Sequence, residues 1–211
     1  IGALFASKGQ VHDVEWKLYK MEQKSLPRPK GFFSKRLGED TVKIMDEFLQ
    51  EAFANEDLAT NKVAFSCPSR SLWTGVVNWQ NRGPTKDAMK RCLSFPPIFK
   101  PQGTFLGAAS AATEAVELLR AEGYNVIIMV NVLGSAQPVA QDGLLENLNY
   151  VILWQEVKRA IGEVGKMGVD VVNVDTSAAP IVQFESKKDL ISLGESVGNK
   201  AAGSLISKYG F

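Results

Sequence analysis

Residues 87–132 read DAMKRCLSFPPIFKPQGTFLGAASAATEAVELLRAEGYNVIIMVNV. The reading of this stretch decides the fold. Pro84 to Arg91 has the pattern of a short helix. It runs into a Pro-rich turn at Pro96 and Pro101, where fixed φ and the missing N–H stop any helix from continuing. Gly107-Ala108-Ala109-Ser110-Ala111-Ala112 reads as a permissive loop entering a helix N-terminus, with Ser110 or Thr113 as cap. Thr113 to Glu122 then has helical spacing. Asn125 to Val132 is a nearly continuous apolar run, as expected for a strand buried on both faces of a parallel sheet.

Working outward, the same alternation recurs. Leu144 to Lys166 is a long helix with Leu145, Leu148, Ile152 and Val157 among its apolar positions, and Val169 to Val174 is a further strand. In the last element, Ser186 to Lys208, Leu190, Leu193, Val197, Ala201 and Leu205 share one face, and Ser186-x-x-Asp189 stands at its start as a capping-box variant. Before the decisive stretch, a helix over Ile1 to Ala6 is broken by Gly9. Val11, Val14, Leu18 and Met21 repeat at helical spacing, and Glu39 to Ala54 forms a helix with Ile44, Met45, Phe48, Leu49 and Ala52 on one side. Asn61 to Cys67 reads as a strand stopped by Pro68, and Trp73 to Val77 as a turn into a second. Strands alternating with helices predict an α/β fold with helices on both faces of a mostly parallel sheet, built as one domain over residues 1–211.

Composition narrows the function classes. The 211 residues are 45% apolar with a formal net charge of +1. Such a balance gives no global attraction to nucleic acid, so nucleic acid is excluded as an expected partner. No run of about 18 apolar residues occurs, which predicts neither a membrane span nor a signal peptide in these residues. Cys67 and Cys92 are too few for a disulfide framework and lack metal-ligand spacing, so both are expected to be half-buried thiols. The lone His12 lies in a polar stretch and argues against a Ser-His-Asp triad.

Several of these segments together resemble the patatin-like lipid acyl hydrolases. In that family a Pro-x-x-Phe-x-Pro turn is followed by an Asp-Gly-Gly/Ala loop, a helix and an apolar strand closing in Val-Asp/Asn-Val. Here Pro96, Phe99 and Pro101 match the turn, and Val130-Asn131-Val132 the strand end. Thr74-Gly75 matches the turn of the family's hairpin. Val171 to Asp175, Phe184-Glu185 and Leu190-Ile191-Ser192-Leu193-Gly194-Glu195 match its closing segments. Ile1 to Ala6 resembles the helix that follows the family's Gly-x-Ser-x-Gly nucleophile elbow. The resemblance implies a three-layer α/β/α domain, a Ser-Asp dyad with oxyanion-hole amides, no cofactor or metal, and a phospholipid or other acyl-lipid substrate reached by peripheral membrane contact. It also implies that the elbow lies upstream of Ile1, so that the domain is truncated at its N-terminus. An edge strand left open in this way would be covered by a partner or a second copy of the chain, a homo-oligomer. Gly107 stands where the dyad aspartate is expected, and glycine can accept no proton.

Two other residues could supply the absent groups. Gly194-Glu195-Ser196-Val197-Gly198 is a literal Gly-x-Ser-x-Gly, yet the polar residues from Glu185 to Asp189 replace the buried strand that an elbow requires. A helix puts Ser196 on the polar side with Asp189, Ser192 and Lys200. Asp142-Gly143 superficially resembles the family's Asp-Gly loop but follows the Val-Asn-Val strand instead of preceding it, which marks a turn residue. From Lys17 to Arg36 seven basic residues stand against one acidic residue. In that loop Lys30, Lys35 and Arg36 could meet anionic headgroups while Phe32 and Phe33 insert, or the phenylalanines could pack inward. Gly162-x-x-Gly165-x-x-Gly168 does not run from a strand into a helix and is a weak phosphate cradle. Trp73, Trp79 and Trp154 read as core or interface aromatics.

Overall fold

The computed structural model describes residues 1–20, 37–94, 100–133, 144–177 and 187–210. By its packing the chain divides into two compact units, Ile1–Ala109 and Ser110–Phe211. The architecture is mixed α/β, with one small antiparallel sheet and one small parallel sheet among the described residues.

The first unit begins with helices α1 (Gly2–Lys8), α2 (Val11–Lys20) and α3 (Leu37–Phe53). Gly9 closes α1 at φ 71°, a left-handed cap whose N–H reaches Phe5 O at 2.7 Å. Strands β1 (Cys67–Ser71) and β2 (Val77–Gln80), helix α4 (Thr85–Cys92) and strand β3 (Phe105–Gly107) complete it. Ala3, Leu4, Val14, Met45, Leu49, Ala52, Phe53, Cys67 and Met89 form its core. These residues come from α1, α2, α3, β1 and α4, so the apolar stripes of the helices converge on the start of β1. Lys90 meets Asp46 at 2.6 Å and ties α4 to α3, and Lys8 meets Glu56 at 2.6 Å. Burial would raise the Glu56 carboxyl, but hydrogen bonds from Lys8 and Ser7 outweigh it and hold the group below its ordinary value.

The second unit holds α5 (Ala112–Ala121), β4 (Ile128–Asn131), α6 (Leu144–Lys166), β5 (Asp170–Asn173) and α7 (Lys187–Tyr209). Strands β4 and β5 pair in parallel, Ile128 with Asp170 through Asn131 with Asn173, with α6 in the connection between them. Val116, Val164 and Val169 are the buried centre, with Ile127 and Met129 packed on them. Leu190, Leu193, Val197, Ala201 and Leu205 of α7 are all half-buried.

Helices follow the sequence closely, and strands depart from it. The strand expected over Asn61–Cys67 starts only at Cys67. Residues 61–66 lie along α1 instead, with Val63 N–H donating to Ala6 O at 3.0 Å and Phe65 packed on the core. Parallel pairing is confined, among the described residues, to β4–β5, because five residues join β1 to β2 and so short a link permits only a hairpin. Gly107, expected to open a loop, instead closes a strand, β3, that the sequence did not suggest. Helix α5 has Ala111 at its N-cap with no side-chain cap bond, and Thr113 donates to Glu114 Oε2 at 2.9 Å. Ser110 and Thr113 therefore do not cap. Strand β4 is not buried on both faces: Ile128 and Val130 are 40% and 60% exposed, while Met129 turns to the core. A two-stranded sheet covered on one side keeps only alternate residues from water.

Cys67 and Cys92 are not thiols. They form a disulfide between β1 and the last residue of α4, with Cα atoms 6.1 Å apart and a sequence separation of 25. Closing a loop of this length removes unfolded-state entropy equivalent to about 3 kcal/mol. The double variant C67S/C92S is expected to lose roughly that much in urea unfolding. Reductant should bring the parent protein to the same midpoint, and equal midpoints with and without reductant would refute the bond's contribution.

Lys208 and Tyr209, ending α7, both donate to Asp170 at the head of β5, Lys208 to Oδ1 at 2.6 Å and Tyr209 to Oδ2. The hydrogen bond from Lys208, followed by that from Tyr209, holds the Asp170 carboxyl below its ordinary 3.8, and the bond to Asp170 lifts Lys208 above 10.5. The carboxyl's contribution is full above the unfolded aspartate range and is lost as pH falls through the depressed value. That of Lys208 is full below the unfolded lysine range and is lost as pH rises through the raised one. At neutral pH, D170N should speed amide exchange in the last turn of α7. Below the depressed pKa the parent and D170N should exchange alike, and a difference that persists there would assign the effect to packing.

Candidate functional site

Gly107, where the resemblance leads one to expect the dyad aspartate, closes β3 beside the central strand of its sheet. The strand order is β2-β1-β3, and Gly107 pairs with Ser69. Its N–H donates to Ser94 O at 2.7 Å, and the next N–H, of Ala108, to Pro68 O at 3.4 Å. Two backbone bonds thus fix the point where the chain leaves the sheet. A strand residue is extended, a conformation open to any side chain, so nothing about the strand itself demands glycine here.

Strands β1 and β2 carry polar side chains here, and none of β1, β2 and β3 holds a carboxylate. Ser69 and Ser94 have no exposed surface. Ser94 Oγ donates to Lys90 O at 2.5 Å. Ser69 Oγ donates to Asn78 O at 3.4 Å and accepts from Gln80 Nε2 at 3.1 Å. Arg91 in turn donates to Gln80 Oε1 at 3.1 Å, with its guanidinium 5.3 Å from the centre of the Phe105 ring. The relay runs from a cation at the surface to a buried hydroxyl. Between Leu58 and Thr113 the sequence has a single acid, Asp87, which lies exposed on the first turn of α4.

Such a constellation can orient a backbone and present a positive charge. It cannot take a proton from an attacking serine, because neither a serine hydroxyl nor a guanidinium acts as a base near neutral pH. Ser69 and Ser94 are themselves sealed from any substrate.

Ser196 sits on the exposed side of a helix, as its spacing predicts. It lies within the continuous helix α7 and is exposed, so the strained strand-to-helix turn of an elbow does not exist there. Gly162 and Gly165 are inside α6, which removes the phosphate-cradle reading. Trp154 is buried as expected, but Trp73 is 82% exposed and belongs to no core. Asp142 and the candidate lipid-contact residues Lys30, Phe32, Phe33, Lys35 and Arg36 lie outside the described residues, as do Pro96 and Phe99. His12 is exposed on α2, and among the described residues no group of three metal-ligating side chains comes together. A depression of about 470 Å³ is lined by Asp46, Glu47, Gln50, Glu51 and Lys86, and Lys86 donates to Gln50 Oε1 at 2.7 Å.

The buried Ser69–Gln80–Arg91 relay and strand β3 were not visible in the sequence. Ser69 belongs to the polar run CPSRS, and only the cross-strand partner reveals why it can be buried. No protein-family model matches the chain, and no curated protein matches it.

Replacing Ser69 by Ala strands the Gln80 amide and is expected to cost about 1–3 kcal/mol in chemical unfolding. Ser196→Ala, on the exposed side of α7, should stay within about 0.5 kcal/mol of the parent. A silent Ser69→Ala would show that the relay does not organise the sheet.

Proposed function

We propose that this chain is a patatin-like lipid acyl hydrolase scaffold whose ligand is a phospholipid or another acyl lipid. This reading implies a three-layer α/β/α domain with a mostly parallel central sheet. The observation that carries it is the order of elements around Gly107. The β1–β2 hairpin turns at Thr74-Gly75, helix α4 leads to β3, Gly107 closes β3, and α5 leads to β4 with its Val130-Asn131-Val132 end. This is the sequence of parts that the resemblance implies around the dyad aspartate.

A second reading is a catalytically inactive module that binds lipid or a protein in the same cleft. It is favoured by the surroundings of Gly107, where the available groups are two sealed hydroxyls, an amide and a guanidinium. Residues 1–211 as they stand offer no proton acceptor at the position that would need one. The same fold can keep a binding surface after the reacting groups are gone.

A fluorophosphonate probe combined with an acyl-ester assay on the native protein separates these readings. Residues 1–211 produced alone are expected to stay unlabelled and to leave short-chain esters and phospholipid intact. Labelling of any serine among them with turnover would remove the inactive reading. Failure of the native protein to bind or cleave any acyl lipid would remove the hydrolase scaffold.

A further inference from the structure

We propose that the β1–β2 turn, Leu72 to Val76, is a docking tip that inserts into the interface of an anionic lipid bilayer. This goes beyond the function proposed above and does not depend on ester cleavage or on the family.

The first observation is apolar exposure at a protruding turn. Five consecutive residues are exposed, and three are large and apolar: Leu72 at 54%, Trp73 at 82% and Val76 at 58%. Indole has an apolar body and a polar N–H, the combination that settles at the boundary between headgroups and acyl chains.

The second observation concerns the backbone. A turn entering the interface loses water, so each N–H without a partner opposes insertion. Here six successive donors are satisfied within the protein. Ser71 N–H donates to Val76 O at 3.0 Å, Leu72 N–H to Thr104 O at 2.8 Å, and Gly75 N–H to Ser71 O at 2.9 Å. Trp73 and Thr74 N–H both reach Ser71 Oγ at 3.3 Å, and Val76 N–H reaches Thr74 Oγ1 at 3.3 Å. Gly75, at φ 69°, makes the turn tight enough for this closure. Arg70 donates to Gly75 O at 2.7 Å. The tip is a preformed, internally bonded wedge, so little ordering is left to be done on binding.

The third observation is charge. From Leu58 to Thr113 the sequence carries seven Lys and Arg against one acid, and none of β1, β2, β3 or the Leu72–Val76 turn has a carboxylate. Arg70 stands at the base of the tip, and the exposed Lys100 precedes the Gln102–Phe105 turn that is bonded to Leu72. A negative surface therefore meets cations with no opposing carboxylate on the sheet.

Sedimentation with vesicles of phosphatidylcholine containing phosphatidylglycerol tests this directly. The parent protein should bind them, bind pure phosphatidylcholine more weakly, and lose affinity as salt rises. W73A should bind at least about tenfold more weakly, because the lost contact is apolar area. Its thermal midpoint should match the parent, since Trp73 supports no core. Acyl chains brominated near the headgroup should quench parent emission more than W73A emission. Equal vesicle binding by W73A and parent would overturn the proposal, as would retention in W73A with loss in F32S/F33S, which moves the contact to that loop. Absence of vesicle binding together with concentration-dependent self-association that W73A abolishes would also overturn it and assign the tip to a protein contact.

Discussion

Strand β1 is the piece on which the first unit depends. Both of its edges are paired, with β2 on one side and β3 on the other. Its first residue is bonded through sulfur to the end of α4, and that same residue belongs to the core built by α1, α2, α3 and α4. A central strand of five residues with a proline in second place has little ladder of its own. What holds it is everything attached around it: the disulfide, the Gln80 amide on Ser69, and the Ala108 N–H on Pro68 O. The position of Gly107 follows from these attachments, since β3 takes its register from β1.

The chemistry of the site follows from what surrounds that register. A dyad aspartate must be held ionised and aimed, and the sheet around Gly107 supplies a fixed backbone and a nearby cation in Arg91. It supplies no group that titrates near neutrality. The arrangement suits positioning better than proton transfer, and the same absence of carboxylates leaves the hairpin face free to approach a negative surface. No described helix is long and apolar enough to cross a membrane.

Helices were legible because their signals are redundant. Leu144–Lys166 is bounded in the structure as its apolar period suggests, and α4, α5 and α7 begin or end within a residue of their expected limits. Strands rest on weaker signals. CPSRS has no hydrophobic alternation, and its buried Ser69 is accommodated by a partner eleven residues away in sequence. VAF, ending two residues before it, is apolar and β-prone, yet forms no strand: Val63 and Ala64 are exposed and only Phe65 packs on the core. The apolar run into β4 reads as doubly buried, but burial on two faces needs neighbours that a residue string does not specify. Nor does the spacing of Cys67 and Cys92 say that they meet, because a pairing is a fact of distance in the folded chain. The glycine at 107 was readable at once; the backbone hydrogen bonds that fix the chain there were not.

The sulfur link between β1 and α4 also limits how this region can move. Packed helices commonly respond to ligands by sliding an ångström or two over the sheet beneath them. A helix whose final residue is bolted to the strand it covers cannot slide in that way. Rearrangement near Gly107 is therefore left to rotation about the bolt or to displacement of the chain beyond Cys92, and reducing agents in a preparation would restore a degree of freedom that the oxidised molecule lacks.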